Sequence, residues 1–581
     1  MVFNTIKKHR LAFLLAFIVG AIIVLPTIVS VWKTDPDFKG IYGLSSDDED
    51  FYMALAREVY DGHSNLSNPY IKEYKTGPYM QPPLPEIIYS GAAKLLRISP
   101  ASLAMVNDFF LPAVSVLLLY SLIWKISQSK KISLLFSGLF FLCFLSAFNR
   151  PINPQFGFIF LLAGLNLVWL VATGKYEIKK ILAYNISLSV IFGILVYAYP
   201  FYWMTIGAVY TLWTFLIAYT EKDFGYWIKN WLSFFVPAVI WSIPFAFNAL
   251  QLSMSPLFAE ASLRFGFINT HWPGAFLNVS LMIFCVPIMY LLQKFIKDRK
   301  TVLFGWALVI SGIVLNWQNV ITGKTLQFPP HFYLVVILFV FLIGAIFLST
   351  VNRDNLSQSA KSSAVLVFMI FIIFAFIFYK QKREILYPLR IISPSNISSL
   401  QNMAPVLAWL QDNTPADSAV YILGEGYGWA VPIYTHNSVY FASGAGMSMM
   451  SDDELENRWV IQKFFEDVKE KDIRGNRDIW TNKFIDTYQN KESRRKILQL
   501  ITGRTYPETV LMEQEVIDAV LDKDAKFKKM GFEKALKTYE VDYVLVDFGD
   551  ERYKNLAGKF KQYTFLSPQA EFNDVSIFKV K

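Results

Sequence analysis

The sequence predicts a polytopic α-helical membrane protein of about eleven transmembrane helices, followed by a soluble C-terminal α/β domain. Three observations carry this. Apolar stretches of about 18 to 22 residues recur from Leu11 to Tyr379, each long enough to cross a hydrocarbon core of about 30 Å. With 54% hydrophobic residues, 17% aromatic residues and a mean hydropathy of +0.35, the chain is too apolar for a soluble protein of 581 residues. The last two hundred residues contain no such stretch.

The first span, Leu11 to Trp32, follows Lys7-Lys8-His9-Arg10 and lacks a small-residue cleavage site, so it reads as a retained signal anchor. Further spans are expected near 103–124, 132–148, 155–173, 181–199, 201–219, 231–250, 275–293, 301–319, 331–350 and 363–379. The loops holding Lys125/Lys130/Lys131, Lys175/Lys179/Lys180, Lys222/Lys229, Lys294/Lys297/Arg299/Lys300 and Arg353/Lys361 alternate as cytoplasmic loops should. That places the N-terminus inside and exports the C-terminal domain, although Lys380, Lys382 and Arg383 after the last span run against the pattern. Residues 1–385 are then a membrane domain with a first outer loop over 33–101, and 386–581 an extracytoplasmic α/β domain. The net charge of +9 is explained by these loops and does not indicate a nucleic-acid partner. Cys143 and Cys285 both fall in apolar spans and read as buried small hydrophobes.

In this orientation the unusual polar residues gather on the outer face. Foremost is Asp47-Asp48-Glu49-Asp50, about fifteen residues after the first span. Carboxylates beside a bilayer are costly to desolvate, so a run of them there calls for an explanation. The residues that follow predict an amphipathic helix with Phe51, Leu55 and Val59 on one face. Ser46-Asp47-Asp48-Glu49 also matches a capping box, with Ser46 as cap, and acids in a first turn suit the helix dipole. That accounts for Ser46 and Glu49 but not for four acidic positions. A second surface helix is predicted from Pro82-Pro83 to Leu96, with a turn-rich segment, Glu73 to Gln81, between the two.

Asp48-Glu49-x-x-Tyr52-x-x-x-Ala56-Arg57-Glu58, followed by Pro82-Pro83-Leu84, resembles the first outer loop of GT-C glycosyltransferases. The order of motifs is that of the lipid A aminoarabinose transferases, and the broader plan is shared with protein O-mannosyltransferases and oligosaccharyltransferases. The close match spans about forty residues and the architectural match the whole chain. In the C-terminal part, Met403 to Leu423 resembles the helix–turn–strand that opens exported domains of this superfamily, and Val541 to Val546 a later strand. The resemblance implies Asp48 as catalytic base for an acceptor hydroxyl, with Glu49 in support. The same pair would ligate a divalent ion, magnesium or manganese, in a metal-dependent version of the chemistry. Tyr52 would line the substrate. The lipid A enzymes carry a lysine before Pro-Pro-Leu that holds the donor phosphate, whereas this chain has Gln81. A neutral amide cannot neutralise a phosphate, so another cation must serve.

The candidates are Lys75 in the same loop and Arg150, Arg264, Lys324 and His331 in others. Arg150 lies in Asn149-Arg150-Pro151-Ile152-Asn153-Pro154-Gln155, which reads equally as a tight turn or as a phosphate clamp with Asn153 beside it; a planar guanidinium suits the second role. The segment Asn316 to His331 is denser in polar groups than a connector requires and is placed at the donor headgroup. Tyr199 and Tyr202 are interface aromatics that also suit stacking on a sugar. His63 and His271 read as structural. Gly424-Glu425-Gly426-Tyr427-Gly428 lacks a full nucleotide-binding fingerprint and reads as a strand-end turn, and Asp452 to Lys534 as a solvated helical bundle.

The expected function is therefore a membrane glycosyltransferase moving a sugar from a polyprenyl-phosphate donor to a lipid, glycan or protein hydroxyl at the outer leaflet. A transporter or flippase for lipid-linked sugars would put charge along the spans and would suit internal repeats; the spans are clean of charge and no repeat is evident. A catalytically silent scaffold presenting 390–581 to a partner would leave the outer polar residues scattered.

Overall fold

The computed structural model describes residues 6–44, 48–148, 150–153, 155–173, 178–294, 296, 298–353 and 400–581. Ten of the eleven expected spans coincide with helices of one bundle; the eleventh, over 363–379, lies outside the described residues. Seven helices are long and apolar enough to cross a bilayer: Arg10–Thr34, Pro100–Ser127, Lys179–Val196, Pro200–Glu221, Phe224–Met254, Arg299–Thr322 and Pro329–Ser349. Gln155–Val171 and Phe276–Leu292 are shorter apolar helices. The expected span over 132–148 differs. Its helix, Lys130–Cys143, ends after 14 residues and gives way to a tight turn at Leu145–Phe148. At 1.5 Å per residue it rises only about 21 Å, short of a hydrocarbon core.

The bundle hides its own polar groups and leaves apolar side chains outside, as lipid requires. On Phe224–Met254, Val239, Ile240 and Phe247 are each more than half exposed. Inside, Trp169 stacks on Trp213 with ring centroids 5.4 Å apart. Lys125 donates to Asn166 Oδ1 at 2.7 Å, and Tyr210 donates to Asn185 Oδ1 at 2.9 Å. The first helix lies tight against Pro100–Ser127, because a Cβ on Gly20 would come within 2.5 Å of the Phe109 carbonyl oxygen.

Residues 400–581 carry a five-stranded sheet in the order Ser438–Val439, Ala419–Leu423, Tyr543–Asp547, Val575–Val580, Leu566–Phe572. The first three strands are parallel and the last two antiparallel. Ala419–Leu423 is buried at all five positions, as a central parallel strand should be. The expected helix–turn–strand is present as Ala404–Asn413 and Ala419–Leu423, and the later strand as Tyr543–Asp547. The glycine-rich segment turns from the first of these strands into a helix, Tyr427–Tyr434.

The first loop packs with this sheet unit more than with the bundle. Its two expected helices are present as Glu49–Asp61 and Leu84–Leu96. Tyr52, Met53, Leu55 and Tyr89 share one core with Val406, Leu407, Tyr421 and Val431. Polar contacts reinforce the union: Arg57 donates to Gln411 at 2.9 Å, Arg458 to Glu73 at 2.7 Å, and Lys72 to Asp542 at 2.9 Å. Ser90 clamps the two loop helices by donating to the Ala56 carbonyl at 2.5 Å.

Candidate functional site

The helix Glu49–Asp61 begins with Asp48 as its cap residue, and the Asp48 side chain makes no capping hydrogen bond. Glu49 is therefore the first helical residue and not the third, as a capping box led by Ser46 would need; Ser46 and Asp47 lie outside the described residues. The Asp48 carboxylate turns away from its own helix and accepts a charge-assisted bond from Arg150 Nη1 at 2.6 Å. It stays open to solvent, with 60% of its side chain exposed, against 23% for Arg150.

Arg150 comes from the turn between Lys130–Cys143 and Gln155–Thr173, where Ile152 adopts a left-handed backbone (φ +65°) that a β-branched residue rarely takes. The turn aims the guanidinium at the loop helix. Nε donates to the Asn153 carbonyl at 2.7 Å and Nη2 to the Tyr52 hydroxyl at 3.3 Å, and the guanidinium lies 5.2 Å from the Tyr52 ring centroid. Asn153 is fully buried and holds the turn by donating to the Ala198 carbonyl at 3.2 Å. Next along, the Tyr199 hydroxyl is in electrostatic contact with Arg150 and 2.5 Å from His331 Nδ1. His331 Nε2 lies 3.1 Å from Gln327 Oε1, and Gln327 Nε2 donates to Asp486 Oδ2 at 2.9 Å. A continuous polar line thus runs from Asp48 to the C-terminal unit. Tyr202, with its ring centroid 4.6 Å from that of Tyr199, is buried behind it. Glu49 faces the other way and acts electrostatically on Tyr89 and Asp108, the latter held by Gln155 at 2.6 Å.

The remaining sequence candidates lie elsewhere or are engaged. Arg264 is fully buried and donates to Asp452 and to the carbonyls of Gly446, Ser448 and Met450, so its donors serve the junction with the C-terminal unit and not a phosphate. Lys75 is buried against Glu58, with Asp417 at 3.7 Å and His63 bridging the same two acids. His331 has both ring nitrogens occupied and stacks on Phe201 at 4.3 Å, which suits a neutral imidazole in the line above better than a phosphate ligand. Lys324 is exposed on a short strand, Lys324–Leu326, paired with Phe267–Asn269. Gln81 is half-buried, in a segment anchored by the Tyr79 backbone to Asn248 at 2.8 and 3.2 Å. Of the five expected phosphate cations, Arg150 alone meets Asp48 among the described residues. The donor set does not fit a divalent metal either: Asp48 is paired with a cation, and among the described residues no three metal-ligating side chains gather.

The sequence reading missed Glu86. It lies on Leu84–Leu96, fully buried, both oxygens lack a hydrogen-bond partner among the described residues, and it is close enough to Tyr52 to influence it. Burial pushes its carboxyl from an ordinary 4.5 to about 8. A group whose folded value is raised costs nothing below its unfolded value, and stability then falls with rising pH until the folded value is passed. The window here runs from about 4.5 to about 8, and the cost near neutrality is about 3 kcal/mol. Glu86→Gln is therefore expected to unfold at a pH-independent temperature where the parent loses stability between pH 5 and 8. Parallel pH curves for the two proteins would show that the carboxyl is already ionised in the fold.

No protein-family model and no curated protein matches this sequence. Among solved structures the chain is similar to ArnT from Cupriavidus metallidurans bound to undecaprenyl phosphate, at 11% identity and a TM-score of 0.48, covering 97% of both chains. It is similar to the oligosaccharyltransferase AglB from Archaeoglobus fulgidus in complex with an inhibitory peptide and a dolichol-phosphate, at 12% identity and a TM-score of 0.46, covering 94% of this chain and 70% of that one. The apo form of the Archaeoglobus fulgidus enzyme gives 13% identity and a TM-score of 0.43, covering 92% and 69%.

Proposed function

We propose that this protein is a membrane glycosyltransferase that moves a sugar from a polyprenyl-phosphate donor to a hydroxyl acceptor at the outer leaflet, with its N-terminus cytoplasmic and its C-terminal domain outside. The observation that carries the reading is the Asp48–Arg150 pair, set at 2.6 Å between the first loop and a turn of the bundle. A base and an anion receptor are the two groups such a transfer needs, since a lipid phosphate is a good leaving group.

In this reading the pair is a resting state. A donor phosphate, with more acceptor oxygens than a carboxylate, takes Arg150 bidentately and frees Asp48. Asp48 then accepts the proton of the acceptor hydroxyl as its oxygen bonds to the anomeric carbon. The bond from that carbon to the phosphate oxygen breaks, and polyprenyl phosphate leaves with the electron pair on its oxygen. Lys324 is the cation on the same face that is left to assist. Convergence of Asp48, Tyr52, Arg150 and Tyr199 favours this reading over a silent scaffold, which has no need to gather them.

The test is a reconstituted assay with radiolabelled polyprenyl-phosphate sugars and a cell-envelope extract as acceptor. Label leaving the polyprenyl lipid for the acceptor, with free polyprenyl phosphate formed in equal amount, is the expected result. Labelled lipid crossing the bilayer intact would mark a flippase instead.

A further inference from the structure

A cavity of about 420 Å³ opens where the polar line from Arg150 reaches the C-terminal unit. One wall is the bundle side, with Trp272, Asn316, Asn319 and Gln327; the other is the helix Lys483–Thr502, with Gln489 and Asn490. The lining is dominated by amides and hydroxyls, and its two charges, Arg477 and Asp486, offset each other, Asp486 being also bonded to Gln327. Such a lining has nothing to neutralise a phosphate or an ammonium group. It does have hydrogen-bonding capacity to spare. The Trp272 indole N–H is shielded from solvent with no acceptor, and the side chains of Gln489 and Asn490 make no hydrogen bond, among the described residues.

The cavity is also built with some strain. Gln327 takes a left-handed backbone (φ +42°), and a Cβ on Gly266 (φ +84°) would come within 2.6 Å of Gln327 Nε2 and 2.8 Å of Asp486 Oδ2. Positions held against backbone preference gather where a site needs them. The volume lies within the roughly 300–1,000 Å³ usual for small-ligand sites.

We propose that this cavity binds an uncharged, hydroxyl-rich glycosyl unit: the sugar of the donor or a sugar of the acceptor. The inference rests on the transferase reading and adds the charge class of the sugar. Amides supply both donors and acceptors, which matches ring hydroxyls, and the absence of a net charge discriminates against uronates and free amino sugars.

The test uses the full chain in nanodiscs and saturation-transfer NMR. The probes are methyl glycosides of a neutral hexose, an N-acetylhexosamine, a pentose, a hexuronate and an amino sugar. At least one neutral glycoside is expected to bind, and about tenfold more weakly to the Gln489→Ala/Asn490→Ala double variant, the scale of two lost hydrogen bonds. Charged glycosides are expected to give no signal that depends on these residues. If no neutral glycoside is sensitive to the double variant, or a charged one binds better, the inference is overturned. The same variant separates the sources: weaker binding of polyprenyl-phosphoryl sugar with unchanged binding of bare polyprenyl phosphate marks the donor sugar, and loss confined to soluble glycosides marks the acceptor. Arg150→Ala plays no part in the glycoside arm, so failure of the transferase reading, seen as bare polyprenyl phosphate binding that ignores Arg150, is read separately.

Discussion

Asp48→Asn is expected to abolish sugar transfer, by about 10²–10⁴-fold, while leaving the protein folded. The two effects separate because of where Asp48 sits. As the cap residue of Glu49–Asp61 it is replaced by another favoured cap residue, and its own side chain makes no capping bond that could be lost. Its carboxylate is 60% exposed, so removing the charge strands nothing in the interior, and an exposed ion pair contributes only about 0–1 kcal/mol. What goes is the base. The partner behaves differently: without Asp48, Arg150 is no longer neutralised, so bare polyprenyl phosphate is expected to bind the variant at least as tightly as the parent. Arg150→Ala is expected to lose both lipid-phosphate binding and transfer. Binding by isothermal calorimetry and transfer by release of radiolabel, measured on the same preparations, check both. Full activity in Asp48→Asn would remove the residue from the mechanism; reduced lipid binding in it would make Asp48 a positioning group for Arg150.

Periodicity and loop charge made most of the bundle legible, because a bilayer demands long apolar helices and little else can produce ten of them in register. Lys130–Cys143 was overread: its apolar run continues to Phe148, but run length alone does not show where the backbone leaves the helix. In the site, Asp48 and Arg150 stood out as charges placed where desolvation is costly. Their pairing was not legible, since 102 residues separate them. Lys75 and Arg264 stood out for the same reason and prove to be salt-bridged to Glu58 and Asp452, because sequence reports that a charge is present and not what it faces. Glu86 carried a signal that went unread. It falls at three- and four-residue spacing with Tyr89, Ser90 and Ala93, the buried stripe of its helix, and an acid on such a stripe is a group held out of water. Gln327 had none, since its role depends on a left-handed turn and on Asp486 arriving from the far end of the chain.

Arg264→Ala is expected to destabilise the protein by about 3–5 kcal/mol, with the largest local effect at the junction of the bundle with the C-terminal unit. Arg264 ends the short helix Phe258–Arg264 and is fully buried. It is the donor for three backbone carbonyls, Gly446 at 2.9 Å, Ser448 at 3.2 Å and Met450 at 2.6 Å, and it pairs with Asp452, the first residue of Asp452–Gln462. Truncation leaves those acceptors without a donor in a place water does not reach, and each stranded group costs about 1–3 kcal/mol. Asp452 keeps Lys483, which holds the loss below the sum of the parts. The damage extends beyond the stability of the junction, because the Arg264 carbonyl accepts from Asn482 N at 3.3 Å at the start of the helix that carries Asp486. Thermal unfolding should therefore shift down, and limited proteolysis should open the segment between Met254 and Phe276. A structural anchor and a phosphate ligand make opposite predictions here. If Arg264 held the donor phosphate, its removal would weaken polyprenyl phosphate binding at an unchanged melting temperature; as an anchor, its removal lowers the melting temperature first, and lipid-phosphate binding at low temperature survives on Arg150.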